Sequence, residues 1–203
     1  MTGIVKDRRN ARPGRPREFE VERVLDDAIT LFSRKGFAAS SVSDISNALN
    51  LTTGSIYKAF KDKRGLLEAA LRQYVERSDA RVSAVLQDAP NGRARVRCIL
   101  SEYANLSCGK TGRIGCLVVT SAIEFGSSDP ELADQIGRLL NAREQRLRRF
   151  IEEGRADGSI AKSVDSEAVA RTLFCVTQGL RVLGKTGQHS SAGVVDQAMR
   201  LLD

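Results

Sequence analysis

Residues 37–67 read FAASSVSDISNALNLTTGSIYKAFKDKRGLL and contain two short helical patterns in succession. Ser41 is a favourable N-cap for the first helix, with Asp44 three residues later as its capping partner. Thr52 is placed to cap the second. We expect the apolar residues to face the core: Val42, Ile45 and Leu49 in the first helix, Ile56 and Phe60 in the second. Residues 50–52 alone separate the two patterns, and this spacing is typical of a helix-turn-helix.

Helical patterns also flank this segment on both sides. Apolar residues recur at helical spacing from Glu18 to Phe32, and Gly36 is typical of a helix C-terminus. Another pattern runs to about Leu86, before Pro90-Asn91-Gly92 interrupts it. Further helices are expected at about residues 92–107, 115–125, 129–155, 164–183 and 191–202. Since no convincing strand pattern is found, the sequence predicts an all-α chain of about nine helices.

The charge distribution points to a polyanionic partner. The net charge is +7, and the first 17 residues carry six Lys or Arg side chains against the single acid Asp7. A flexible basic arm of this kind gains affinity for nucleic acid by releasing its counterions, although the same composition also suits a solvated leader that only aids solubility. We therefore divide the chain into an arm (1–17), a helix-turn-helix domain (18–64), a linking helix (65–86) and a second helical domain (87–203).

Composition narrows the protein class further. The chain has 203 residues, 41% of them hydrophobic, so it can fill a substantial core without disulfides. Its longest compact apolar stretch, Cys116–Val119, is far too short for a membrane span, and the first residues lack the apolar region of a secretory signal. The single histidine, His189, has no second ligand cluster. We expect a cytoplasmic protein that has no membrane segment and needs no metal or cofactor.

Residues Phe37–Ser46 and Leu51–Leu67 resemble the DNA-binding domain of the TetR family of transcriptional regulators. The resemblance covers residues 15–75 and includes the Gly36-Phe37 pair that closes the first helix. It implies a recognition helix that enters the major groove of double-stranded DNA. It also implies a homodimer and a second domain that binds a small-molecule effector. The family often carries His or Tyr where this chain has Ala59, so base preference does not transfer.

The N-terminal end of the predicted recognition helix suits DNA contact. Its hydroxyl and cationic side chains match bases and phosphates, and Gly54 permits a close approach of the backbone. Tyr57 is a phosphate donor in this interpretation and a packing residue in the alternative, while the alternative for Lys58 and Lys63 is a solvated face. The candidate DNA contacts are Arg15, Arg17, Ser41, Ser43, Thr52, Thr53, Gly54, Ser55, Tyr57, Lys58 and Lys63, with the two arginines assigned to the minor groove.

An apolar seam runs along the predicted helix 164–183. Its members are Val169, Leu173, Val176, Leu180 and Leu183, spaced for lengthwise packing either inside one subunit or against another. The resemblance implies the second arrangement, in which the last two helices of each subunit, including Val195 and Met199, form a four-helix interface. The symmetry of such a dimer separates the recognition helices by about 34 Å and requires a palindromic operator.

The sequence defines the residues of the effector pocket less specifically than the DNA contacts. The candidates combine apolar and polar groups, namely Tyr103, Leu106, Cys116, Phe125, Phe174, Cys175 and Gln178, and most of them would serve equally well as core. Cys116 follows a glycine-rich loop and begins a helix, a position that lowers the pKa of a thiol. It is therefore a candidate sensor of oxidants or electrophiles, and otherwise a small buried hydrophobe.

The sequence predicts a DNA-binding transcriptional regulator, a repressor released from its operator by the effector. One alternative is an architectural DNA-binding protein on the same fold that needs no effector. Another is an enzyme, because Gly179–Thr186 matches the phosphate-loop pattern G-x-x-x-x-G-K-[ST]. A phosphate loop follows a strand, however, and these residues continue a helical seam. We therefore predict that the chain is not an enzyme.

Overall fold

The computed structural model describes residues 15–187 and 191–203, with side chains from Val21 onward. All of the regular secondary structure in these residues is helical. The helices are α1 (Arg15–Lys35), α2 (Val42–Leu49), α3 (Thr53–Phe60), α4 (Lys63–Leu86), α5 (Gly92–Leu106), α6 (Gly109–Ile114), α7 (Leu117–Phe125), α8 (Pro130–Asp157), α9 (Ser166–Gly184) and α10 (Val194–Met199), followed by a 3-10 turn (Arg200–Leu202). Residues 15–187 and 191–203 contain no strand, and the predicted all-α class is confirmed.

The described helices number ten rather than about nine, because α6 lies where a glycine-rich loop was expected. Gly109 begins this short helix at a φ of 57°, a left-handed conformation that glycine adopts at little cost. Gly112 packs so closely that a Cβ there would lie 2.2 Å from the carbonyl oxygen of Ser107. The backbone conformation favours glycine at 109 and close packing requires it at 112, while the low helix propensity of both residues favours a loop in the sequence.

The backbone of α1 begins at Arg15, three residues before the expected start at Glu18. Pro16 is compatible with this start because a proline is tolerated in the first turn of a helix. Arg15 and Arg17 thus belong to the helix rather than to a preceding arm, and their side chains are not described. The rest of the predicted arm and His189 lie outside the described residues.

The first hydrophobic core joins α1–α4 to the body of the protein. We call helices α1–α4 the head, and this first cluster the head core. The space among the four helices is filled by Phe32, Ile45, Leu49, Ile56 and Leu66. The same cluster continues into α7 and the start of α8 through Leu117, Val118, Phe125, Leu132 and Ile136. The head is therefore packed against the second domain and not tethered by α4 alone.

The second core lies inside the body, which we define as residues 92–203. α8 packs along α9 and α5, and α4 supplies Val82 from its C-terminal half. Leu173 and Met199, two residues of the predicted dimer interface, are at most 2% exposed within this core. α4 is thus shared between both cores. None of the helices in the described ranges combines the length and apolar character of a membrane span.

Candidate functional site

The helix-turn-helix is formed by α2 and α3, and local hydrogen bonds fix its turn. Asn50 ends α2 in the left-handed conformation, with a φ of 51°, and the Leu51 N–H donates to the Ser46 carbonyl at 3.2 Å. The hydroxyls of Ser46 and Thr53 lie 3.1 Å apart across the turn. Because Ile45 and Ile56 are almost fully buried beneath it, the relative orientation of the two helices is set by the head core.

The start of α2 carries the predicted capping box. The Ser41 hydroxyl accepts from the Asp44 N–H at 3.1 Å and donates to its carboxylate at 2.6 Å. Lys35 lies 2.6 Å from the same carboxylate, and together Lys35 and Ser41 hold the pKa of Asp44 far below its usual value. The Ser41 side chain is thus occupied by its cap, while Ser43 is exposed beside it.

The exposed side of α3 presents a small polar surface. Thr53, Ser55 and Lys58 are exposed, whereas Ile56 on the opposite face is 1% exposed. A Cβ added at Gly54 would meet no atom within 4 Å, so the backbone there is open to an approaching molecule. Thr52 is exposed too, and its hydroxyl caps α3 by accepting from the Ser55 N–H at 3.3 Å. Such a surface fits an approach to base edges and phosphates.

Two of the candidate DNA contacts also pack within the protein. Tyr57 is half-buried, and its ring packs against the head core. The Lys63 ammonium lies 4.2 Å from the centre of the Phe37 ring, and partial burial lowers the pKa of Lys63. The phosphate contacts of Tyr57 and Lys63 remain predictions, as do the minor-groove contacts of Arg15 and Arg17.

The predicted effector candidates are divided among different parts of the fold. Tyr103 and Phe174 line one small cavity of about 20 Å³ between α4, α5, α8 and α9. Phe125 instead belongs to the head core, with its ring 5.3 Å from that of Phe37. Cys175 is exposed on the outside of α9. These last two residues do not line this cavity, so the structure does not bring them together with Tyr103 and Phe174.

The remaining candidates lie at two open clefts or on α9. Leu106 lines a cleft of about 390 Å³ with Tyr74, between the head and α6, and Gln178 on α9 donates to the Thr177 hydroxyl at 3.0 Å. Cys116 lines a separate cleft of about 270 Å³. Cys116 is 5% exposed, and its sulfur accepts from the Tyr74 hydroxyl at 3.2 Å. Burial raises the pKa of Tyr74, so the phenol keeps its proton for this bond. This environment favours the buried-hydrophobe interpretation of Cys116.

The surface of α9 that faces outward contains only part of the predicted seam, namely Val176 and Leu183. Leu173 and Leu180 are at most 3% exposed in the isolated subunit, and Met199 is likewise buried, so these three are core residues and the predicted place in the dimer interface is wrong for them. Val169 and Val195 are half-buried against the second core. The outward surface, here called the α9 outer face, consists of Cys175, Val176, Gly179, Val182 and Leu183.

The match to a phosphate loop does not have the structure of one. Gly179 to Gly184 are helical and end α9, and the preceding residues belong to the same helix rather than to a strand. The Lys185 ammonium donates to the Ser33 carbonyl of α1 at 2.9 Å. The motif therefore ends a helix and joins the body to the head.

Comparisons with known proteins agree with this architecture. Residues 24–70 match the model of bacterial regulatory proteins of the tetR family, and residues 92–201 match the tetracyclin repressor-like C-terminal domain. The chain belongs to the TetR family. It is a DNA-binding transcriptional regulator, and the predicted recognition is confirmed.

Relatives of this TetR-family regulator align over most of its length. The HTH-type transcriptional repressor BdcR of Escherichia coli K12 is 32% identical over 149 residues, which cover 73% of this chain and 74% of BdcR. The repressor ComR of the same organism is 27% identical over 86% of this chain and 83% of its own. A solved cysteine mutant of the TetR family regulator CifR, complexed with 26-base-pair double-strand operator DNA, has a TM-score of 0.80 at 28% identity and covers 94% of this chain and 100% of that one.

In this TetR-family regulator, polar contacts also link the head to the body. The Glu124 carboxylate of α7 accepts from the N–H groups of Phe37 and Ala38, just after α1, at 2.7 and 3.0 Å. Arg64 in the first turn of α4 lies 2.6 Å from Asp129 at the start of α8. Sequence reasoning missed both links, because each partner is more than 60 positions away and neither residue stands in a local motif.

Proposed function

We propose that the protein is a repressor that binds a palindromic operator as a homodimer in the cytoplasm and is released by a small molecule bound in the body. The observation that carries DNA recognition is the exposed polar first turn of α3 above a fully buried Ile56. A helix held in this way presents its N-terminal side chains to the major groove with little freedom to turn. We assign base or phosphate contacts to Thr53, Ser55 and Lys58.

The other candidates complete this proposed interface. Gly54 lets the α3 backbone approach the duplex, and Thr52 fixes the first turn of the helix. Ser41, Ser43, Tyr57 and Lys63 stand nearer the edges of the surface and are assigned to phosphates. Arg15 and Arg17 are assigned to the minor groove. Phosphate contacts position the protein, whereas the sequence is read by those α3 side chains that reach base edges.

We place the homodimer contact on the α9 outer face. Val182 and Leu183 are 49% and 48% exposed in the subunit, and the open position above Gly179 lets a second helix approach closely. Exposed apolar side chains on one long helix support a helix-helix interface. Two heads held by such an interface bind two half-sites, and this arrangement favours a palindromic operator.

Regulation is proposed to act through the contacts between head and body. An effector that binds the body more tightly in one arrangement of α4 shifts the population of head positions, and with it the affinity for the operator. Glu124 and Arg64 are the polar contacts through which such a shift reaches the helix-turn-helix. No enzymatic step is part of this proposal.

Selection of bound DNA from a random library tests the proposed function. We expect an enriched inverted repeat and release of the bound DNA by a small molecule found in a compound screen. An architectural protein would instead bind with little sequence preference and remain bound whatever compound is added. Protein that enriches no sequence would contradict the proposal.

A further inference from the structure

The cavity between α4 and α8 contains a buried cation with almost no partner. Arg143 on α8 is 8% exposed and lines this cavity. Among the residues whose side chains are described, the sole hydrogen-bond partner of its guanidinium is the Ser78 hydroxyl, at 3.5 Å. A guanidinium has five N–H donors, and removing it from water is costly unless an anion and further acceptors pair with it.

Neighbouring charges leave this cation uncompensated. Arg146, one turn along α8, also lines the cavity, and it is paired with Asp79 of α4 at 2.9 Å. The cavity lining therefore contains two arginines and one carboxylate, which gives a net charge of one positive unit. A ligand with a single negative charge would neutralise the cavity lining.

The other residues that line the cavity indicate the chemistry of the uncharged part of the ligand. Val82, Ile99, Leu147 and Phe174 supply apolar walls from four different helices. The Tyr103 hydroxyl adds a polar group that stays neutral, because burial raises the pKa of this phenol. Apolar walls with a few convergent polar groups are typical of small-molecule sites.

We propose that Arg143 is the anchor of the effector site and that the effector is a monocarboxylic acid with an apolar body. The acid pairs its carboxylate with the guanidinium, which suits carboxylate geometry through two parallel N–H donors. Phosphate is a poorer match, because its second charge has no cation left to meet it. This inference rests on the proposed function, since it assigns a chemical class to the effector of that regulator.

The size of the cavity links ligand binding to a change in shape. At about 20 Å³ the cavity holds roughly one water molecule, so a carboxylate fits only if the apolar body separates the surrounding helices. Ser78, Asp79 and Val82 form one wall, and all three belong to α4. α4 begins in the head at Lys63. A ligand that selects a displaced α4 therefore also selects a different head position.

Calorimetric titration with matched acids and amides tests this assignment. The probes are straight-chain carboxylates from butanoate to octanoate and the primary amides of the same chain lengths. We expect the best acid to bind the wild-type protein at least about tenfold more tightly than its amide, because a charge-assisted pair in a buried site is lost with the amide. Arg143→Met should remove this preference, while Arg149→Met, an exposed arginine on the same helix, should keep it.

Arg143→Lys provides a second variant in case the methionine variant does not fold. It keeps the charge but loses the two-pronged geometry, so we expect a weakened preference for the acid. Equal affinity for acid and amide, unchanged acid binding by Arg143→Met, or no acid binding at all would each overturn the inference.

Operator binding is measured separately, so the two proposals can fail independently. A protein that binds its selected operator but no carboxylate refutes the effector class alone. A protein that binds octanoate through Arg143 but enriches no DNA refutes the regulator proposal instead.

Discussion

Replacing Glu124 by glutamine is expected to loosen the head from the body. The carboxylate accepts two backbone N–H groups, and the amide of glutamine keeps one acceptor oxygen while turning a donor toward the other N–H. A hydrogen bond to a charged group contributes about 1.5–3 kcal/mol, and half-burial of the site reduces this, so we expect a loss of about 1–2 kcal/mol in the free energy of unfolding. For a chain of this size, that corresponds to a fall in Tm of about 2–8 °C.

Denaturant unfolding and hydrogen exchange measure the effect of the Glu124 replacement on the whole protein and at the site. The unfolding midpoint reports the loss in the free energy of unfolding, and hydrogen exchange at the Phe37 and Ala38 amides reports the loss of the two hydrogen bonds directly. Exchange there should accelerate by about tenfold for each 1.4 kcal/mol. Ile123→Thr is the matched control, since Ile123 is the preceding residue and is 75% exposed, so its replacement should change the free energy of unfolding by less than about 0.5 kcal/mol.

The reasoning about Glu124 would be refuted by a glutamine variant that has the wild-type unfolding midpoint and wild-type exchange at both amides. Such a result would mean that the head is held by the apolar contacts alone, with the two hydrogen bonds replaced by water without loss.

Three further predictions concern DNA binding, assembly and acid stability. Lys58→Ala should weaken operator binding in fluorescence anisotropy titrations. Loss of a phosphate contact there reduces the slope of log affinity against log salt concentration by about one. Lys162→Ala, at an exposed site in the body, should change neither the affinity nor the slope. Val182→Asp should split the dimer in light scattering, because a charge at the α9 outer face cannot be buried without a partner, while Leu180→Asp should unfold the subunit instead. The pKa of Asp44 is lowered in the folded protein, so its stabilising effect is present above the ordinary pKa of 3.8 and is lost as the pH falls below that value. Asp44→Asn should therefore flatten the acid dependence of the free energy of unfolding. An unchanged acid profile would contradict the capping-box contribution.

The helix-turn-helix could be predicted from the sequence because its determinants are local. Ser41 and Asp44 lie three residues apart, as do Thr52 and Ser55, and the observed caps use these pairs. Apolar spacing identified Ile56 as a core residue, and therefore also the exposed side of α3. Residues close together in sequence determine the helix caps and the buried side of α3, so both could be predicted without knowledge of a tertiary contact.

Features that depend on distant partners could not be predicted in the same way. α9 has one buried row, which contains Leu173 and Leu180, and an adjacent outward row that contains Gly179 and Cys175. Apolar periodicity does not separate the two rows, so the predicted seam combined Leu173 and Leu180 of the buried row with Val176 and Leu183 of the α9 outer face. Arg143 has no local signal either, since an arginine on a helix as rich in charge as α8 normally faces water.

The claim that α3 reads the DNA sequence is tested most directly by repeating the selection of bound DNA with Ser55→Asn. Ser55 is exposed in the first turn of α3, and asparagine pairs well with adenine in the major groove. We predict that wild type and variant enrich inverted repeats with the same half-site spacing, about one helical turn or a multiple of it, but with different bases in each half-site. Identical motifs from both proteins would contradict the account, because they would show that another part of the chain determines the sequence recognised.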